Sequence, residues 1–564
     1  MQANAPHALV KQVLNVGIVG GGAAGLYAAL LLQSQGHLAT IYEASGRVGG
    51  RIYTYHFTEQ PDQYFEAGAM RIPPANFQKI LLGLIEALNN HPDLPADMHA
   101  NLITYYLNSL GNKLFVNGVN GDGDKYGDVT PAQLNWPVPD NFKDTSANTL
   151  LESAVKLFAG KTFDQIVELF DDFSFRYFLK NFGPIPNGEA NKQGWPDSVI
   201  DFVETVCSQT NQFALSCPEL YMQYSDFLDP DASTNEWHTI DKGMDRLPQA
   251  MAHLIGLENI VFGARVQSIA IQGRKVVLTA EGYNGLVSEP YDRVILAIPP
   301  AALKMIAERP RWSPAKEMAI RSMNFESLYK MGLRFKTRFW ETTEPTTKGG
   351  QSTTDLPIRW IVYPSNGIDN TGPGVLLVYS WMTDASTWLP LTPLERRSLA
   401  LQCLNELYRP TVDVYAELME TFDVVWSSET ATGDAMFLPG QFKSRFDPAV
   451  AKEGNVYFAG EHLSQHHTWI AGALESALNA VQQMLGKGVK QISKDKTQGS
   501  TLVGADKRKK NQTAHPPPPS YLPKDPLFPH YAGLGAAAEG GTTSQARWAA
   551  GVPRLTRLSG PGAT

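Results

Sequence analysis

The run Gly20-Gly21-Gly22-Ala23-Ala24-Gly25 satisfies G-x-G-x-x-G, and Glu43 follows about a helix and a strand later. Glycines in that pattern allow a tight turn and close approach of backbone to a pyrophosphate. The N-terminus of a following helix then offers free N–H groups and a partial positive charge, and the acid accepts ribose hydroxyls. Directly after Glu43 come Ala44, Arg47 and Arg51 among Gly46, Gly49 and Gly50, two cations suited to a second clamp on a diphosphate. In an ordinary surface turn the same arginines would only be solvated. His462, His466 and His467 stand close together in sequence, but on a loop leading into a helix they do not make a metal site. Gly160-Lys161-Thr162 resembles the end of a P-loop, yet Val155 stands where its first glycine is needed.

The elements around the glycines are what give them meaning. Val13 to Val19 is rich in β-branched residues, as a strand buried on both faces should be. An Ala/Leu-rich helix runs to about Ser34, Gly36 supplies a C′ position, and Leu38 to Tyr42 reads as a second parallel strand. This βαβ order also explains why no Lys, Arg, Asp or Glu occurs from Gln12 to Tyr42, a stretch too broken by glycine to be a membrane span or a signal peptide.

Further along, apolar spacing predicts a helix over Phe77 to Leu88, a strand pair within Thr104 to Val116, and a helical insert over 131–239. Strands are expected over Ile260 to Val277, Val294 to Ile298, Leu328 to Phe335, Ile358 to Tyr363, Val375 to Trp381 and Val456 to Ala459, with a helix over Ala471 to Leu485. The composition changes after Ile492, where Lys507-Arg508-Lys509-Lys510 and Pro516 to Pro519 predict a disordered tail over 492–564.

The 564 residues carry a net charge of −8, the wrong sign for a chain that condenses onto nucleic acid. Mean hydropathy is −0.22, the balance of a globular chain without a membrane span. Three cysteines without CxxC spacing indicate neither a disulfide framework nor zinc. No secretory signal precedes Val13, which favours an intracellular location.

Taken together, the chain resembles the flavin-containing amine oxidase superfamily, and within it the L-amino-acid oxidases, over about Val13 to Gly486. The resemblance is carried by Val19 to Leu26, Glu43 to Arg51, Glu66-Ala67-Gly68-Ala69-Met70-Arg71-Ile72-Pro73, Gly243-Met244-Asp245-Arg246-Leu247-Pro248, Lys330 to Tyr363, and Phe458-Ala459-Gly460-Glu461 leading to Trp469-Ile470. It implies an α/β fold, α+β overall. A discontinuous Rossmann-like FAD domain (13–73, 240–325, 445–487) would carry a mixed-sheet substrate domain (74–130, 326–444) and the helical domain (131–239).

The resemblance further implies noncovalent FAD, since no cysteine lies in Glu461 to Trp469. The cofactor would be touched by Gly20, Gly22, Ala23, Ala24, Gly25, Glu43, Ala44, Arg47, Arg51, Gly68, Ala69, Met70, Arg71, Val266, Glu461, Trp469, Ile470, Ala471 and Ala473. The expected substrates are an L-amino acid and dioxygen. Arg71 and Tyr363 would hold the carboxylate, the Thr468 carbonyl would receive the amine, Trp469 would line the amine side, and Lys330 would hold a water near flavin N5. Where some relatives carry a histidine this chain has Tyr224, so no histidine base is assigned. A homo-oligomer, dimer or higher, is expected. Two further readings are a related amine oxidase or amino-acid monooxygenase, and a flavin-stabilised interaction protein without turnover.

Overall fold

The computed structural model describes residues 12–122, 127–186, 193–227, 236–282, 285–427 and 432–494. The expected tail lies, from residue 495 on, outside the described residues. A parallel five-stranded sheet forms the first layer. Its centre is β1 (Asn15–Val19), flanked by β2 (Leu38–Tyr42) on one side and strand Arg293–Leu296 on the other. Val456–Phe458 and Ile260–Val261 complete its edges. Helix α1 (Ala23–Ser34) connects β1 to β2 and buries ten consecutive residues, Ala23 to Leu32, between that sheet and helices Ile470–Leu485 and Arg246–Ile255. A helix apolar all round is what a doubly covered crossover position requires, and this is why the stretch lacks charge. The hairpin Arg265–Gln272 and Lys275–Gly282 turns at Gly273.

A seven-stranded mixed sheet forms a second layer. Strand Leu328–Phe335 pairs with Leu418–Trp426 and Gly374–Trp381, and the sheet continues through Trp360–Val362, Gln351–Thr354, Lys113–Val116 and Val119–Asp122. Strand alternation divides its two faces. Tyr329, Met331, Leu333, Ile361, Tyr363, Leu376 and Val378 point into a core shared with helix Pro393–Tyr408. Lys330, Trp360 and Tyr379 point the other way. The strand pair expected within Thr104 to Val116 does not form as such. Leu102–Thr104 pairs with His238–Ile240, whereas Lys113–Val116 pairs with Val119–Asp122. Both halves are extended, but their hydrogen-bond partners come from distant chain. Helices Ala147–Val155, Phe163–Phe170, Phe175–Phe182, Asp197–Val206 and Cys217–Phe227 make the helical layer, and Thr162 serves as a capping box for the second of them rather than as part of a phosphate loop.

Candidate active site

The glycine turn is built for close approach. Gly20 has φ +102°, and a Cβ there would lie 2.6 Å from the Ala297 carbonyl oxygen. A Cβ on Gly25 would lie 2.0 Å from the Gly20 carbonyl oxygen, so only glycine lets α1 start this near the turn. Gly22 differs, because a Cβ there would meet no atom nearer than 3.9 Å. This open side adjoins the start of α1, where Ala23 and Ala24 follow Gly22 with no side-chain cap and no acid in the first turn. Free N–H groups beside open space are what a diphosphate needs. Glu43, at the end of β2, accepts from Gly21 N at 2.7 Å and from Ser45 N at 2.9 Å. The segment leading to Val266 lies beside it, with Ala264 N donating to the Glu43 carbonyl at 2.8 Å. The residues therefore fit a dinucleotide.

Arg47 and Arg51 do different work. Arg47 gives its guanidinium to the carbonyls of Val48, Gly50 and Ile52 and lies over the Tyr53 ring, 4.3 Å from its centroid, so it braces the loop that carries Ala44 from within. This places its donors on the loop itself rather than in the open space. Arg51 pairs with Glu461 at 2.9 Å and reaches the Gly433 carbonyl at 2.8 Å. Burial alone would raise the Glu461 pKa, but Arg51 and the neighbouring His467 and His462 outweigh it and hold the carboxylate charged. The same carboxylate accepts from Thr468 N and Ala435 N, tying three loops together.

Gly68 is wedged so closely that a Cβ would lie 1.9 Å from the Arg51 carbonyl oxygen, and Ala69 N donates to that oxygen. Met70 is buried, and Arg71 follows it with its guanidinium 5.0 Å from the Phe227 ring centroid, 5.2 Å from Trp360 and 5.7 Å from Trp237. Gln351 Oε1 accepts from it at 3.3 Å. No carboxylate pairs with Arg71 among the described residues. Lys330 donates to the carbonyls of Gly68 at 2.6 Å and Glu66 at 3.3 Å and lies 4.5 Å from the Tyr379 ring centroid. Burial pushes its pKa down to about 7, with Glu66 opposing and Arg71 reinforcing the shift.

The Lys330 shift has a thermodynamic signature. An unfolded lysine binds its proton more tightly than the buried one, so the charged amine penalises folding fully below about pH 7, and the penalty fades as pH rises towards the ordinary lysine value of 10.5. Lys330→Met therefore removes a pH-dependent cost. Its melting temperature minus that of the parent should be more positive at pH 6 than at pH 10, as read by thermal melts across that range. A difference independent of pH would contradict the buried, low-pKa amine.

Tyr363 requires a correction. Its hydroxyl contacts Ser352 Oγ at 2.8 Å and Tyr408 Oη at 2.6 Å on the far face of the sheet, inside the core beneath helix Pro393–Tyr408. Trp360 faces Arg71, and a residue three positions along the same extended strand must face away. The tyrosine on the Arg71 side is Tyr379, which is directly opposite Lys330 on one neighbouring strand and Trp360 on the other. Tyr105 adds a second hydroxyl, buried beside Arg71. Tyr363→Phe should therefore lower stability by about 1 kcal/mol for the lost hydrogen bonding and leave turnover within about twofold. Tyr379→Phe should instead raise KM. Steady-state kinetics and melts of the two variants separate these roles.

Trp469 is buried against Phe227, Trp237 and Phe77, with centroids 5.5, 6.5 and 6.0 Å away. It is the N-cap of helix Ile470–Leu485, whose first turn, with Ile470, Ala471 and Ala473 all buried, has no side-chain cap and no acid. That end can stabilise negative charge in front of it. Thr468, just before, is held at φ +74°. Tyr224 is half-buried in the helical layer and packs against its core. No cluster of His, Cys, Asp and Glu is placed to hold a metal among the described residues, and none of their helices is long and apolar enough to cross a membrane. Sequence reasoning missed Tyr379, Tyr105, Phe227, Trp237 and Trp360. They come from three layers, and only the strand parity of Trp360 against Tyr363 left a local trace.

This cradle and the basic, aromatic pocket beside it define a flavin-dependent oxidoreductase site, and residues 23–485 match the family described as flavin containing amine oxidoreductase. The chain belongs to that family. It is 31% identical over 84% of its length to a Dictyostelium discoideum protein described as a bifunctional amine oxidase, and spans 46% of that longer relative. It is 29% identical to L-amino-acid oxidase 4 of Hebeloma cylindrosporum, over 83% of this chain and 81% of the relative. It is 28% identical to an L-amino-acid oxidase of Vipera ammodytes ammodytes, over 83% and 92%. Among solved structures, putrescine oxidase superposes with a TM-score of 0.63 at 17% identity, covering 84% of this chain and 100% of that one. Cyclohexylamine oxidase from Brevibacterium oxydans gives 0.61 at 17%, covering 84% and 98%. These structures share the fold.

Proposed function

We propose that the chain is an FAD-dependent L-amino-acid oxidase that converts an L-amino acid, water and dioxygen to a 2-oxo acid, ammonia and hydrogen peroxide. The observation that carries this reading is Arg71, a cation ringed by Phe227, Trp237 and Trp360 and without a carboxylate partner among the described residues. A guanidinium half-buried among aromatic rings gains most from a ligand that brings its own carboxylate in a bidentate pair. A plain amine offers nothing to it.

Gly20 to Gly25, Glu43 and the start of helix Ile470–Leu485 would hold FAD noncovalently, and when bound it would supply the hydride acceptor for the substrate Cα, with dioxygen as the final oxidant. The chain's own residues orient and desolvate. Arg71 and Tyr379 fix the carboxylate, the Thr468 carbonyl accepts from the amine, and Trp469 with Phe227 excludes water from that side. Lys330, its pKa near 7 through burial, can hold or release a proton at Nζ around neutral pH while donating to the Gly68 carbonyl.

The test is a peroxide, ammonia and 2-oxo acid assay of the purified holoprotein over a panel of L-amino acids, with putrescine and cyclohexylamine alongside. Stoichiometric formation of the three products from amino acids is expected. Turnover of the amines alone, an amide product, or silence across the panel with flavin bound would overturn the reading. Release of FAD on denaturation checks its identity and its noncovalent binding.

A further inference from the structure

Two consecutive residues at one edge of strand Trp360–Val362 reach the same turn of the helical layer. Arg359, buried and held at φ +48°, donates from Nη2 to the Thr205 carbonyl at 3.0 Å and from Nη1 to the Thr354 carbonyl at 2.6 Å. Trp360 donates from its indole Nε1 to Ser208 Oγ at 2.8 Å, a contact buried on both sides. Thr205 and Ser208 bracket the turn that closes helix Asp197–Val206, where Ser208 N donates to the Thr205 carbonyl at 3.2 Å. Ser208 is only 2% exposed and stands at φ +53°. The centroid of the Trp360 ring lies 5.2 Å from the Arg71 guanidinium carbon, and Trp381 and Tyr379 meet the ring edge-on with centroids 4.6 and 5.9 Å away. One indole thus touches both a hydroxyl of the helical layer and the cation of the pocket.

A buried indole N–H costs stability unless something accepts from it. It is the ring's single polar atom and lies in the ring plane, so a fixed acceptor determines which edge points to the helical layer and which face is left for Arg71. Trp381 and Tyr379 bound the space, but apolar contacts do not tell one edge of an indole from the other. The acceptor itself is fixed, because Arg359 ties the turn that carries Ser208 to the residue next to Trp360. We infer that Ser208 is a positioning residue, which sets the Trp360 ring against Arg71 and so fixes the guanidinium for a carboxylate. Its part in carboxylate capture rests on the amino-acid oxidase reading, whereas its hold on the ring does not.

Ser208→Ala and Ser208→Gly both remove the acceptor but differ in stability. At φ +53° alanine keeps the backbone strain that serine bears and glycine relieves it, so the glycine variant should melt higher than the alanine one. An effect common to both therefore belongs to the lost hydroxyl rather than to stability. In the flavin-loaded protein with isotope-labelled tryptophan, the Trp360 indole N–H resonance is assigned by its loss in Trp360→Phe. It should move in both variants and exchange faster with solvent, a readout that needs no substrate. With an amino acid that the panel identifies, KM should rise about threefold to tenfold in both variants while kcat stays within about twofold. In the Trp360→Phe background the same substitutions should change KM by less than about twofold, because the coupled partner is gone. An unmoved resonance, a KM unchanged in both variants, or equal rises in both backgrounds would overturn the inference. If the panel yields no amino-acid substrate, it is the substrate reading that has failed, and the indole resonance still decides whether Ser208 holds Trp360.

Discussion

Arg71→Met should lower kcat/KM for L-amino acids by about a hundred- to a thousandfold. Truncating one member of a desolvated, hydrogen-bonded charge pair costs roughly 2–5 kcal/mol, and each 1.4 kcal/mol is about a factor of ten. Methionine keeps an unbranched apolar stem between Phe227, Trp237 and Trp360, so the box should not collapse. The loss should lie mainly in KM or in the substrate Kd from anaerobic titration, because the carboxylate is held before and during the reaction. Flavin content should be unchanged. A carboxylate-free amine, by contrast, should be oxidised no worse by the variant, since a half-buried cation facing its ammonium is gone. Steady-state kinetics on an amino acid and its decarboxylated amine measure both arms, and equal losses on the two would remove Arg71 from carboxylate recognition.

The second large effect belongs to the glycine turn. Gly25→Ala sets a methyl 2.0 Å from a backbone oxygen that has no side-chain freedom to move. Overpacking of this kind costs about 1–3 kcal/mol, here spent on displacing the turn from α1. The flavin Kd should rise by about one to two orders of magnitude, and the flavin-free protein should melt lower. Gly22→Ala separates these two consequences. Its methyl meets no protein atom nearer than 3.9 Å, so the flavin-free protein should keep its melting temperature, while the space proposed for the pyrophosphate is filled and the flavin is lost. Melts of the flavin-free variants with flavin titrations read both. Parental flavin affinity in Gly22→Ala would place the cofactor elsewhere.

The cofactor cradle was legible in sequence because it is local. A β-branched strand, glycines at fixed offsets, an Ala/Leu helix and a terminal acid lie within one continuous stretch, and each residue's conformational preference agrees with its neighbours'. That reading also explained the missing charges before Glu43, since a strand and helix buried on every side leave no solvated position for them. The resemblance likewise pointed to Arg71 and Trp469 by motif.

What tertiary structure alone decided is which side chains share a face. Tyr363 and Tyr379 are both strand tyrosines with aromatic neighbours, and only the register that sets Tyr379 opposite Lys330 and Trp360 puts it towards Arg71, leaving Tyr363 in the opposite core. The lowered pKa of Lys330 is equally non-local, because it comes from burial beneath segments far away in the chain. The pairing of Asp226 with His466 spans more than two hundred residues and has no sequence signature. Periodicity reports which residues are buried, whereas strand register and the docking of layers report against what. For this protein the first locates the glycine turn and the elements around it, and the second determines which side chains meet beside Arg71.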